Sequence, residues 1–126
     1  MSQGARLIVR VVGRDATLAT RVEVAGSIWA RFRGLMGRAG LAPGEGMWFP
    51  GDSSIHMFFM RFPIDAVFLG GDADATPWRV VAIRTLRPWR DVVLPVRGAQ
   101  GCLELPAGTA AAASLAVGDR VTLEAG

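Results

Sequence analysis

The sequence predicts a mainly β fold of the α+β kind: a small curled sheet or partly open β-barrel carrying two short helices. Three observations lead there. TLATRVEVA, Thr17 to Ala25, alternates with period two after a first apolar strand and a turn. A near-continuous apolar run from Ile55 to Leu69 is interrupted by Pro63. The second half is a series of short apolar segments set off by Gly, Pro and Asp. Period two marks half-buried strands, and turn residues between short apolar runs mark a sheet rather than a bundle.

The elements follow in order. LIVRVV, Leu7 to Val12, reads as a strand, and GRDA as the turn after it. In TLATRVEVA, Leu18, Thr20, Val22 and Val24 fall on one face and Ala19, Arg21 and Glu23 on the other, which makes the pair an opening hairpin. From Ser27 the period changes. Ile28, Trp29, Phe32, Leu35 and Met36 form a helical stripe, with Ser27 as N-cap, arginines near the C-terminus and Gly37 or Gly40 closing it. Met47 to Phe49 is a short strand. Pro63 divides the long apolar run into extended segments Ile55 to Phe62 and Ile64 to Leu69, because it removes a ladder donor. Trp78 to Leu86 is the partner strand. RPWRDVVLP is a linker with at most one short strand, and CLELP, Cys102 to Pro106, is another strand. Thr109 is placed to cap a short helix, Ala110 to Leu115, and RVTLE closes the chain as a strand. Residues 1–126 read as one domain.

Composition narrows the function classes. Hydrophobic residues make up 51% of the 126 and charged ones 20%, which describes a globular chain. The formal net charge is +3, yet every cation is arginine and the arginines are scattered. A specific nucleic-acid reader would show a basic stripe interleaved with aromatics. No stretch approaches the roughly 20 apolar residues that cross a bilayer. With one cysteine there is no intrachain disulfide, so the expectation is a cytoplasmic protein without a membrane partner.

The candidate site residues lie in two motifs. SIHMFFMRFPIDAVF, Ser54 to Phe68, holds the single histidine, His56, followed by Arg61 and Asp65. An arginine in an apolar run needs solvent or a carboxylate, so Arg61 and Asp65 are expected to form a structural ion pair across the proline bend. His56 either caps a strand end or lines a pocket. LRPWR, Leu86 to Arg90, sets Trp89 between Arg87 and Arg90. Guanidinium forks bind carboxylates or phosphates with paired bonds and an indole can stack on a ligand, although an Arg–Trp surface turn has the same sequence. The candidate ligand-binding set is therefore His56, Arg87, Trp89 and Arg90. Asp72, Asp74 and Thr76 lack the further oxygen ligands of a calcium loop, and no spacing suits zinc. No metal and no cofactor is expected. Cys102 reads as buried and structural; as a nucleophile it would need His56 as its base.

Several blocks occur together in order: RGLMGR, GMWFP, IHMFFMRFPIDAVFL, LRPWR, LELPAGTA and VGDRV. On these, the chain resembles the uncharacterised bacterial and archaeal family called domain of unknown function 192, or "uncharacterized ACR", over about Ala25 to Glu124. Met57 departs from the small polar residue, often threonine, expected after the histidine. The resemblance implies a compact mainly β fold and no known reaction, cofactor or catalytic residue. Three functions stay open. The first is a binding module for an anionic small molecule or peptide carboxylate. The second is a protein-interaction or accessory domain. The third is a small hydrolase with His56 as general base and Asp65 orienting it.

Overall fold

The computed structural model describes residues 6–25, 40–57, 60–71 and 77–126, without the side chain of His56. The helix expected from Ser27 and the Asp72–Thr76 turn lie outside them. Among the described residues there are nine strands: β1 (Arg6–Val11), β2 (Ala16–Val24), β3 (Glu45–Pro50), β4 (Ile55–His56), β5 (Ile64–Gly70), β6 (Trp78–Leu86), β7 (Val92–Val93), β8 (Gly101–Pro106) and β9 (Arg120–Ala125). One short helix, α1 (Thr109–Ala112), is described. The fold is mainly β, as the alternation and turn chemistry predict.

Seven strands form one sheet in the order β1-β2-β3-β8-β5-β6-β9, and β9 returns to pair with β1. The closure is irregular. β2 and β3 are parallel, and the seam between β6 and β9 is short, with Trp78 opposite Val121, Arg79 opposite Arg120 and Val80 bonded to the Gly118–Asp119 turn. β5 and β6 slip register between Phe68 and Leu69, which fits an extra residue bending the sheet. β4 and β7 form a separate two-stranded ribbon.

Two apolar layers follow from this closure. Every strand of the main sheet contributes to the enclosed layer, for example Val9, Val22, Trp48, Leu103, Val67, Val80 and Val121. The outer layer joins Phe49, Ile64, Phe68, Leu86 and Cys102 to Met57 and Met60 from the segment before β5. β5 contributes to both layers and is buried at all seven positions. That explains its unbroken apolar sequence, since a strand covered on both faces has no reason to alternate.

The extended segment expected from Ile55 to Phe62 is corrected: β4 ends at His56. The chain turns there, with the Met60 N–H donating to the Met57 carbonyl at 3.1 Å. Met57 and Met60 are both buried in the outer layer, so strict alternation does not set the facing of this run. Thr109 is not the helix cap either. Its hydroxyl donates to the Pro106 carbonyl at 2.7 Å, and Gly108 occupies the cap position with φ 94°.

At Gly101 the Trp48 indole lies where a Cβ would stand, and Trp48 meets Trp78 edge to face with ring centroids 5.2 Å apart. Gly101→Ala should therefore displace the indole and destabilise the chain by about 1–3 kcal/mol, as overpacking does. Urea denaturation followed by tryptophan fluorescence measures both the loss and the altered ring environment. An unchanged midpoint would show that Trp48 is not held where the structure has it.

Candidate functional site

Two stretches distant in sequence are zipped together beside the outer layer. Ile55 pairs with Val93 and His56 with Val92. The Met57 N–H donates to the Asp91 carbonyl at 2.9 Å, the Trp89 N–H to the Met57 carbonyl at 2.8 Å, and the Val96 N–H to the Ser53 carbonyl at 2.7 Å. The backbone of the histidine motif and that of the LRPWR motif are thus brought together, as a common ligand site would require.

Within LRPWR, Pro88 precedes Trp89 at φ 65°, and the Arg90 N–H reaches the Arg87 carbonyl at 3.4 Å. Proline followed by a residue of positive φ is the type II turn pattern, where glycine is usual at the second position. A tryptophan held there is strained by roughly 1–2 kcal/mol. The turn is fixed by Asp91, which accepts from the Arg87 backbone N–H at 2.7 Å and from both ends of its guanidinium at 3.1 and 2.9 Å. This fork holds the Asp91 carboxyl down to about 2 and raises the Arg87 guanidinium above its ordinary value. Arg87 is therefore a clamp of the turn. Arg90 is exposed, and Trp89 is 56% exposed.

A cleft of about 610 Å³ opens between the end of β6 and the segment through β7. Arg84, Thr85 and Leu86 line one wall and residues 91–97 the other. Arg84 and Arg97 are exposed, and Asp91, the acid in the lining, is neutralised by Arg87. The volume lies within the roughly 300–1,000 Å³ usual for ligand sites. Sequence reasoning missed Arg84 and Arg97. Arg84 did leave a signal, since by alternation it shares a face with Ala82 and Leu86, an odd place for a cation. Arg97 left none, because it sits in an irregular segment.

The expected ion pair of Arg61 with Asp65 is corrected. Arg61 is exposed, whereas Asp65 is 1% exposed and lies on the enclosed face of β5. One Asp65 oxygen accepts from the Thr85 hydroxyl at 2.7 Å, and the other from the N–H groups of Gly108 and Ala110 at 3.1 and 2.9 Å. The strand points Asp65 at the first turn of α1, whose unpaired N–H groups need an acceptor. Its role is to hold that turn against the barrel, and the hydrolase reading loses the carboxylate meant to orient His56.

Cys102 and Glu104 share the outer face of β8. Burial first, then the neighbouring Glu104 charge, pushes the Cys102 thiol well up, away from the thiolate a nucleophile needs. Glu104 is 6% exposed, opposite Met47 on one side and Ala66 on the other, and burial raises its carboxyl to about 8. Among the described residues no three His, Cys, Asp or Glu side chains cluster where they could hold a metal ion.

Comparisons with known proteins place this geometry. The family described as "Uncharacterized ACR" matches residues 9–123. A "UPF0127 protein" of Thermococcus sibiricus is 34% identical over 108 residues, 82% of this chain and 66% of that protein. One of Pyrococcus abyssi is 40% identical over 70 residues, 56% of this chain and 55% of that protein. The chain thus spans only part of the length of these relatives. Among solved structures, a "putative transcription regulator" of Sinorhizobium meliloti superposes with a TM-score of 0.80 at 28% identity, covering 98% of this chain and 97% of that one. A protein of unknown function from Novosphingobium aromaticivorans gives 0.75 at 30% identity, with 91% and 83% covered.

Two stability outcomes follow. Asp65→Ala removes an acceptor serving three donors and should cost about 3 kcal/mol or more; Asp65→Asn keeps an oxygen for the two N–H groups and should cost roughly 1 kcal/mol. Equal losses in chemical denaturation would refute this. Glu104 gives a pH dependence whose sign is set by its raised value. Below its ordinary 4.5 the carboxyl is protonated in both states. Between 4.5 and about 8 only the unfolded chain ionises, so stability falls as pH rises, and above about 8 the fall levels off. The total is on the order of 5 kcal/mol. Glu104→Gln should raise Tm strongly at pH 8 and little at pH 5, and a pH-independent gain would contradict the assignment.

Proposed function

The chain belongs to the Uncharacterized ACR family, domain of unknown function 192, and we propose that it is a binding module for an anionic ligand, a small molecule or a peptide carboxylate, seated in the cleft between β6 and β7. The observation that carries this is the charge of the lining. Arg84 and Arg97 both line the cleft, Arg84 spending one guanidinium N–H on the Ile83 carbonyl at 3.0 Å, while Asp91, on the wall of Arg97, is already neutralised by Arg87. Two guanidinium groups across a cleft suit a group with two or more acceptor oxygens, because each fork offers paired donors. The backbone of His56 pairs with Val92 of the cleft wall, and Arg90 precedes that wall in sequence.

Trp89 supports the same reading. Strain at a residue where glycine would be easier is usually kept for a use, and Trp89 is 56% exposed. A second reading, a protein-interaction domain, is favoured by the same residue together with Val92 and Leu94, which are 52% and 76% exposed nearby. The description of the Sinorhizobium neighbour suggests nucleic acid instead. The scattered arginines of this chain favour a localised anion site over a duplex-tracking surface.

Titration of ¹⁵N-labelled protein with succinate and with inorganic phosphate tests the proposal. The expected result is saturable shifts confined to 84–86 and 91–97. Arg84→Ala combined with Arg97→Ala should weaken binding at least about tenfold, the loss expected for charge-assisted hydrogen bonds. Shifts elsewhere, or affinity unchanged in the double variant, would overturn it.

A further inference from the structure

The cleft meets both of its walls edge-on. Arg84, Thr85 and Leu86 are consecutive residues of β6, so their side chains alternate between faces, yet all three line the same cleft. A cavity lying on a sheet face would be lined by every second residue. The same holds across the cleft, where residues 91–97 line it without a gap.

The edges presented there carry no backbone partner among the described residues. β6 pairs with β5 along Arg79 to Leu86, but with β9 only at Trp78 and Arg79. Val80 completes that seam through the carbonyl of Asp119 and the N–H of Gly118. From Val81 onward the second edge of β6 has no backbone partner among the described residues, although the Arg84 guanidinium donates to the Ile83 carbonyl at 3.0 Å. β7 is bonded to β4 on one edge through Val93 and the neighbouring Asp91 carbonyl. In an antiparallel pair, alternate residues turn their N–H and C=O groups away from the partner. Val92 and Leu94 are those residues of β7 and its continuation, and both side chains are exposed.

Two open strand edges facing one slot, with arginines on both walls, are complementary to one kind of occupant. We infer that the cleft accepts an extended, acidic peptide segment of a partner protein as an added strand between β6 and β7. Its backbone would pair with the open edges and its carboxylates with Arg84 and Arg97. This rests on the reading of the cleft as an anion site and names the ligand class. Backbone pairing supplies affinity that is indifferent to sequence, and alternate side chains supply selectivity. Acidic residues alternating with β-branched ones would set the carboxylates on one face and leave apolar groups for Val92 and Leu94.

The probe is an N-acetylated, C-amidated peptide of alternating valine and glutamate, about eight residues long at roughly 3.3 Å per residue. Its lysine counterpart and two versions N-methylated at alternate amides, one for each peptide edge, serve as controls. The expected result on ¹⁵N-labelled protein is saturable binding, with slowed amide exchange at the open-edge residues of 81–86 and at Val92 and Leu94. Each N-methylated version should bind at least about tenfold more weakly, since it loses several backbone hydrogen bonds. The lysine peptide should not compete, and Arg84→Glu with Arg97→Glu, both at exposed positions, should reverse the preference between the two peptides. If succinate binds at the cleft and the peptide does not, or if N-methylation changes nothing, strand addition is overturned while the anion reading stands. If neither binds, both fail. If the same edges become protected as protein concentration rises and light scattering shows a dimer, the occupant is a second copy of the chain and the inference is wrong.

Discussion

The carboxylate of Asp65 accepts from three donors that belong to two other parts of the chain, and the closed sheet depends on it. Thr85 lies beside it on β6, and Gly108 and Ala110 lie forty-three and forty-five residues away. A buried carboxylate with too few donors would cost several kcal/mol. Given three donors, it directs where the following turn settles. α1 is four residues long, too short to be stable alone, so its position must come from such a contact. Ala113 and Leu115 just beyond it pack against the enclosed layer, so the turn covers one end of the barrel.

Holding that turn inside has a consequence for the outside. β9 follows α1 and joins both β1 and the beginning of β6. Its contact with β6 stops at Arg79 and Val80, and the remainder of β6 runs on with only β5 beside it. The outer layer then covers the other face of β5 and β8 with Met57, Met60 and the β4–β7 ribbon. The cleft is what remains between that ribbon and the open end of β6. Closure of the sheet at one end and its incompleteness at the other belong to the same arrangement.

How much of this could be read from the sequence depended on the range of the interaction. β6 was legible to the residue, because WRVVAIRTL alternates between turn signals. The opening hairpin was legible from the alternation of TLATRVEVA, and the strands at Met47, Cys102 and Arg120 from short apolar runs set off by Gly, Pro and Asp. Ile55 to Phe62 was not. Met57, Met60 and Phe62 are apolar because they fill the outer layer without being in a strand, and such residues look like a buried strand in composition. Nearness in sequence favours Arg61 as the partner of Asp65, whereas strand parity turns Asp65 to the enclosed face of β5 and Arg61 lies before that strand begins. Of the site, the meeting of the histidine motif with LRPWR rests on ribbon pairing between residues far apart in the chain. That pairing leaves no periodic trace when each strand has two residues.

Arg84 is where the protective and the functional accounts of an open edge divide. Edge strands are commonly shielded by charge, and a cation on β6 would discourage pairing with a second copy of a basic chain. On the strand-addition proposal the same cation would attract an acidic strand. Protection alone would be served by a charge on either wall and would not call for a cavity. Here the opposite wall also carries an arginine, Asp91 is neutralised within the turn, and about 610 Å³ separates the edges. A shielded edge needs none of these features, whereas an edge kept open to chains of one charge and closed to chains of the other needs all of them.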